Sequence, residues 1–223
     1  MRLLLVRHGQ TTSNVGHKLD TAEPGADLTE LGRQQAQAIP AALAEENVHS
    51  VYVSNLVRTQ QTAAPLLEHL GMQAQVRTGI REISAGELEM RNDEEAIQEY
   101  IDVVFGWHRD PERRLRGGEN GTEVLARYAE GVAEAEAEAP EGAVVFVSHG
   151  AVIRVWAAAR ADNIDGDFAA THWLSNTAMV VMEGSSATGW TVTNWLEEPL
   201  GGPEVMDREH TGPAGEPEHE MGD

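Results

Sequence analysis

The chain has 223 residues, 41% of them hydrophobic and 24% charged, enough for one globular domain with a sizeable core. Asp and Glu number 37 against 16 Lys and Arg, a formal net charge of −21, which opposes binding to nucleic acid or to an anionic membrane surface. Cysteine is absent, which excludes disulfides, thiol catalysis and Cys-ligated metals.

Taken in chain order, Leu3–Val6 is a short apolar run expected to be a buried strand. The N-terminus MRLLLVRHG is too short and too soon interrupted for a signal peptide. No apolar run approaches the roughly 20 residues of a membrane span, so the expected location is the cytoplasm. A loop rich in Gly, Asp and Pro follows over Gly9–Asp27. Thr29 then caps a helix expected to run to about Ala44, with Pro40 expected to kink or break it.

Ser50–Ser54 is a second strand, Leu56–Leu70 a helix and Gln75–Arg77 a weaker strand. Glu94–His108 has the clearest amphipathic period, with Ile97, Tyr100, Ile101, Val104 and Phe105 on one face. A Gly-rich turn, Gly117–Gly121, leads into a helix over about Thr122–Ala139. Ala143–Val147 has the continuous apolar run of a central parallel strand, and Ala151–Arg160 a helix. Ala178–Met182 and Trp190–Leu196 form a closing pair of strands. From Glu197 onward nine acids, four prolines and one arginine stand in a stretch with almost no apolar period. Residues 201–223 are therefore expected to be a disordered acidic tail that contributes little to stability or activity.

Strands alternating with helices predict an α/β three-layer sandwich over residues 1–200, with a mainly parallel central sheet and helices on both faces. A small helical cap insertion is expected at about 83–120. In such sheets ligands bind beyond the carboxyl ends of the strands. Arg7-His8-Gly9 directly follows the first strand, with Gln10, Thr11 and Asn14 behind it. Arg58 lies in the first turn after the second strand, and Ser148-His149-Gly150 follows the central one. If these strands are neighbours, two histidines and two arginines meet at one sheet edge, and helix N-termini nearby add N–H donors for an anion. That set suits phosphoryl transfer. A neutral imidazole attacks phosphorus, arginines stabilise the equatorial oxygens, and a second ionisable group protonates the leaving oxygen.

The segments LLLVRHGQTTSN, LTELGRQQA, VSNLVRTQQTA, REISAGELE, GGENGTEVLAR and VSHGAVIR, in that order, resemble the histidine phosphatase superfamily in its phosphoglycerate mutase-like branch. The resemblance covers about Met1–Arg160. It implies that His8 is the phosphorylated nucleophile and that Arg7, Arg58 and His149 clamp the phosphoryl group. Thr11, Asn14, Gln10 and the Gly150 N–H would add substrate contacts. Glu82 would be the general acid for the leaving alcohol and then the base for water. Two departures stand out. Glu89-Met90 replaces the Glu-Gly of many members, and the Gly16–Asp27 loop lacks the Gly-Trp-Asp run of mutases.

The expected activity is hydrolysis of a small phosphorylated metabolite, without cofactor, metal, nucleic-acid or membrane partner; a homodimer is left open. A phosphoglycerate mutase and a catalytically silent phosphate-binding protein are the alternatives. Arg109, Arg113, Arg114 and Arg116 either overhang the site to meet a second anionic group or form a solvated segment.

Overall fold

The computed structural model describes residues 1–139 and 141–216. Its strands are β1 (Arg2–Arg7), β2 (Val48–Val53), β3 (Gln75–Val76), β4 (Ala143–Ser148), β5 (Met179–Ser185) and β6 (Gly189–Trp195). Among the described residues they form one six-stranded sheet in the order β3-β2-β4-β1-β5-β6. β2, β3, β4 and β1 run parallel; β5 and β6 close the sheet antiparallel, as a hairpin whose short connection dictates. The helices are α1 (Thr12–Val15), α2 (Glu30–Ala42), α3 (Val57–Leu70), α4 (Glu94–Val104), α5 (Gly121–Glu138), α6 (Gly150–Arg160) and α7 (Gly166–Thr171).

The period-2 alternation of the strands divides the core between the two sheet faces. Leu3, Leu5, Tyr52, Val144, Phe146 and Val180 pack with α4, α5 and α6. Leu4, Val6, Val51, Val53, Val145 and Val147 pack against α2 and α3. β1 and β4 are buried along both faces, which is why their sequences are apolar without alternation.

Several expectations shift. Pro40 does not break α2: the helix continues through it and ends two residues later, at Ala42, where few backbone bonds remain to be lost. The amphipathic stretch is α-helical only to Val104 and tightens to a 3₁₀ turn over Phe105–His108. α7 was not apparent in the sequence. The segment between Ile80 and Gly121 contributes Ile83, Leu88, Tyr100, Val104, Trp107 and Leu115 to the main core, so its apolar side is continuous with the sheet. Met90, the second residue of the Glu89-Met90 departure, has φ 63° and an exposed side chain. The backbone there is in the left-handed region, which a non-glycine residue adopts at a cost of about 1–2 kcal/mol.

The largest correction concerns the tail. Residues 201–216 are not disordered: a 3₁₀ turn at Pro203–Val205 leads into a strap that lies on the body, with Thr211, Gly212, Pro213 and Gly215 buried. The remainder of the expected tail, 217–223, falls outside the described residues.

Candidate active site

The register Arg7↔Ser148 brings the carboxyl ends of β1 and β4 side by side, and Val53↔Val147 aligns β2 with them. His8 and His149 leave adjacent strands at the same level, and their rings meet edge-on with centroids 5.2 Å apart. Gly9 follows because the chain then passes under α2: a Cβ there would lie 2.6 Å from the Gly32 carbonyl oxygen. Arg7, His8, Arg58, Glu82 and His149 are all at least 96% buried, an unusual concentration of ionisable groups.

Hydrogen bonds fix the imidazole tautomers. His8 Nδ1 lies 2.8 Å from the Gly9 carbonyl oxygen, which can only accept. Nδ1 therefore carries the proton, and the lone pair of neutral His8 sits on Nε2. His149 Nδ1 lies 3.3 Å from Arg58 Nε, which can only donate, so His149 Nε2 is protonated and donates to Ser54 Oγ at 2.8 Å. Ser54 in turn faces Thr59 Oγ1 at 3.0 Å. Both nitrogens of His149 are thus engaged, and one of them orients Arg58. Arg58 Nη2 donates to the Asp20 carbonyl at 3.0 Å. Buried donors remain: Arg7 Nε and Arg58 Nη1 have no hydrogen-bond partner among the described residues. Arg58 Nη1 lies 3.9 Å from the Asp20 carboxylate, and guanidinium N–H groups without a hydrogen bond beside a histidine lone pair suit a multiply charged oxyanion.

Glu82 lies in the same cavity. Its carboxylate accepts from the backbone N–H groups of Ile83 (2.9 Å), Ala151 (3.2 Å) and Val152 (3.0 Å), and so sits at the N-terminus of α6. Glu89, by contrast, is committed to the loop at 21–22. It accepts from Thr21 and Ala22 N–H at 2.9 and 3.0 Å.

Burial shapes the charges. Desolvation first, then the Arg58 and Arg7 guanidinium groups, hold the His8 pKa well below 6.5. Desolvation, Arg58 and His8 do the same to His149. Arg7 is pushed down to about 10 by burial, against the pull of Glu82 and Glu216, and stays cationic at neutral pH.

A pH prediction follows from the two histidines. Their folded pKa values lie below the unfolded value of about 6.5, so the unfolded chain binds more protons as pH falls. Their contribution to stability is therefore complete above about pH 6.5 and declines below it, by up to about 1.4 kcal/mol per pH unit for each. The fall in Tm between pH 7 and pH 5 should be shallower in His149→Asn than in the native chain, as measured by calorimetry. An NMR titration should find both rings neutral at pH 6.

Thr11 and Asn14 line the cavity, but they also cap α1 reciprocally: Asn14 N–H donates to Thr11 Oγ1 and Thr11 N–H to Asn14 Oδ1. Gln10 departs from expectation. It does not line the cavity; its amide donates to Asp207 at 3.0 Å, and its oxygen accepts from Thr29 Oγ1. Gly150 borders Arg7 Nε and the strap: a Cβ on it would lie 3.0 Å from that nitrogen and 2.6 Å from the Ala214 oxygen. The Arg109–Arg116 cluster does not overhang the cavity. Arg109 pairs with Asp167 at 2.6 Å, Arg114 with Glu123 at 2.6 Å, and Arg113 donates to the Asp102 carbonyl at 3.2 Å. Carboxylates of this acidic chain hold Arg109 and Arg114 at the surface, and a backbone carbonyl engages Arg113.

Sequence reasoning did not anticipate Ser54, Tyr100 or the strap residues Pro213 and Ala214. Ser54 fixes His149, and the other three wall a cavity of about 30 Å³. Ser54 carried a faint signal, since it ends β2 just before the helix bearing Arg58. Among the described residues no cluster of His, Asp or Glu has the arrangement of a metal site, and no helix is long and apolar enough to cross a membrane.

The fold and its buried imidazole–guanidinium cavity are those of a phosphate-handling α/β enzyme. The chain belongs to the histidine phosphatase superfamily (branch 1), whose family-wide sequence model matches residues 3–198. It is 31% identical over 196 residues to glucosyl-3-phosphoglycerate phosphatase of Mycobacterium tuberculosis, covering 84% of this chain and 87% of that one. It is also 34% identical over 212 residues to PE-PGRS family protein PE_PGRS11 of the same organism. That match takes in 88% of this chain but spans 36% of the longer relative. A solved mycobacterial glucosyl-3-phosphoglycerate phosphatase, complexed with VO3, superposes with a TM-score of 0.75 at 29% identity, over 88% of this chain and 99% of that one.

Proposed function

We propose that this protein hydrolyses the phosphate monoester of a small polar metabolite through a phosphohistidine on His8. The observation that carries the reading is the His8 Nε2 lone pair, held beside His149 between the buried Arg7 and Arg58. His8 Nε2 attacks phosphorus as the bond to the ester oxygen breaks, and the departing oxygen takes a proton from Glu82. Arg7 Nε and Arg58 Nη1 donate to the equatorial oxygens, where charge spreads in the transition state. Water then attacks the phosphohistidine while Glu82 accepts its proton. The N–P bond breaks, and inorganic phosphate leaves with His8 neutral again.

The relatives named for glucosyl-3-phosphoglycerate favour a substrate of that kind, a phosphorylated glycerate joined to a sugar. Hydrolysis is favoured over mutase chemistry because these relatives are named as phosphatases. The formal charge of −21 favours a small-molecule substrate over nucleic acid.

The test supplies glucosyl-3-phosphoglycerate and, separately, 3-phosphoglycerate with its bisphosphorylated primer. Release of inorganic phosphate should dominate in both. Formation of 2-phosphoglycerate outrunning phosphate release by orders of magnitude would make the protein a mutase.

A further inference from the structure

Arg154 is fully buried on α6, one turn beyond the residues that hold Glu82. Its guanidinium stacks 4.2 Å over the Phe105 ring, and its donors spread in two directions. Nε and Nη2 reach the carbonyls of Ala169 (2.9 Å) and Ala170 (3.0 Å) in α7. Nη1 reaches the carbonyls of Ala214 (3.1 Å) and Glu216 (2.9 Å) in the strap. A buried cation donating to carbonyls of both α7 and the strap ties these two elements to α6.

The strap so held touches Arg7 from behind. Arg7 Nη2 donates to the Thr211 carbonyl, and Nη1 donates to the Leu174 carbonyl at 2.7 Å. Leu174 N–H donates to the Gly215 carbonyl at 3.1 Å, which links the second support to the first. Gly215 is required at this point: a Cβ would lie 1.8 Å from Arg7 Nη1. With both terminal nitrogens anchored, Nε is the one guanidinium nitrogen of this cavity-lining arginine that is buried without a hydrogen-bond partner among the described residues.

We propose that Arg154 is a positioning residue which, through the strap at 211–216, fixes the Arg7 guanidinium so that its Nε meets the phosphoryl group. Without Arg154 the strap carbonyls lose their cationic donor. The Thr211 and Leu174 supports then loosen together, and Arg7 samples orientations that do not bind phosphate. The inference rests on Arg7 being a phosphate ligand, as the proposed function has it.

The test uses the full chain, p-nitrophenyl phosphate as substrate and inorganic phosphate as product inhibitor. Arg154→Met should lower kcat/KM about tenfold or more and weaken phosphate inhibition in parallel. Arg154→Lys, which keeps the charge but not the fork, should recover only part of the loss. Gly215→Val displaces the strap from the other side. If Arg154 acts through the strap, the double variant should be no worse than the poorer single one. Should Arg154→Met fail to fold, the same cycle is run with Arg154→Lys. Losses that simply multiply, or kcat/KM within twofold of native in the Arg154 variants, would overturn the proposal. Arg7→Gln separates the two levels. Full activity in that variant sinks the proposed function itself, whereas a crippled Arg7→Gln beside an unaffected Arg154→Met sinks this inference alone.

Discussion

Replacing His8 with alanine should reduce phosphatase turnover by about 10³-fold or more, because the whole two-step route passes through its Nε2. Arg7 and Arg58 would still bind phosphate, so the variant should retain phosphate affinity while losing kcat. That contrast separates a missing nucleophile from a damaged fold. Rapid mixing of native enzyme with substrate, followed by an alkaline quench, should trap phosphate on His8, where the Nδ1–H bond to Gly9 leaves Nε2 free to react. Label recovered on another residue, or near-native turnover in His8→Ala, would require a different mechanism. His8→Asn serves as a check, since it fills more of the space and still offers a donor to the Gly9 carbonyl.

The second large effect concerns Glu82. Glu82→Gln keeps the shape of the side chain, and its amide oxygen can still accept from the Ile83 and Val152 N–H groups that share one carboxylate oxygen, while the Ala151 N–H loses its acceptor. It removes the proton that an alkoxide needs as it departs. Alkyl phosphates should therefore lose about 10²–10⁴ in kcat/KM. Aryl phosphates, whose phenolate leaves without help, should lose less than about tenfold in their first step. Steady-state rates on a paired alkyl and aryl phosphate measure the difference. Equal losses would remove Glu82 as the acid and turn attention to Glu87, which is exposed near Arg116, since Glu89 is occupied at Thr21 and Ala22.

Much of this arrangement was legible in the sequence, and the reasons are local. β1 and β4 are buried on both faces, so they announce themselves as apolar runs, and the histidines follow directly at the strand ends where α/β sheets bind ligands. Arg58 was legible for a similar reason, since it occupies the first turn after β2. The strap was not legible. It docks through backbone carbonyls, at Thr211 to Arg7 and at Ala214 and Glu216 to Arg154, and backbone atoms leave no hydrophobic period. Its trace is the run Thr-Gly-Pro-Ala-Gly at 211–215, small residues that allow close approach but resemble a solvated linker. Gln10 misled for the complementary reason. It neighbours His8 in sequence, yet its buried side chain turns away from the cavity to Thr29 and Asp207. The fates of Arg109, Arg113 and Arg114 depended on carboxylate and carbonyl partners far along the chain or on facing elements, which spacing does not encode.

The contact between Arg7 and Thr211 joins residues 204 positions apart. A ribosome adding about 5–20 residues per second separates their synthesis by roughly 10–40 s. During that interval the nascent chain carries its histidine motif and gains every strand of the sheet, while the guanidinium behind the phosphate site still lacks one of its two carbonyl supports. Folding of the body and maturation of the catalyst are thus separate events in the life of each molecule. A messenger cut short before codon 211 would direct synthesis of a product with the sheet in place and a poorly aimed arginine.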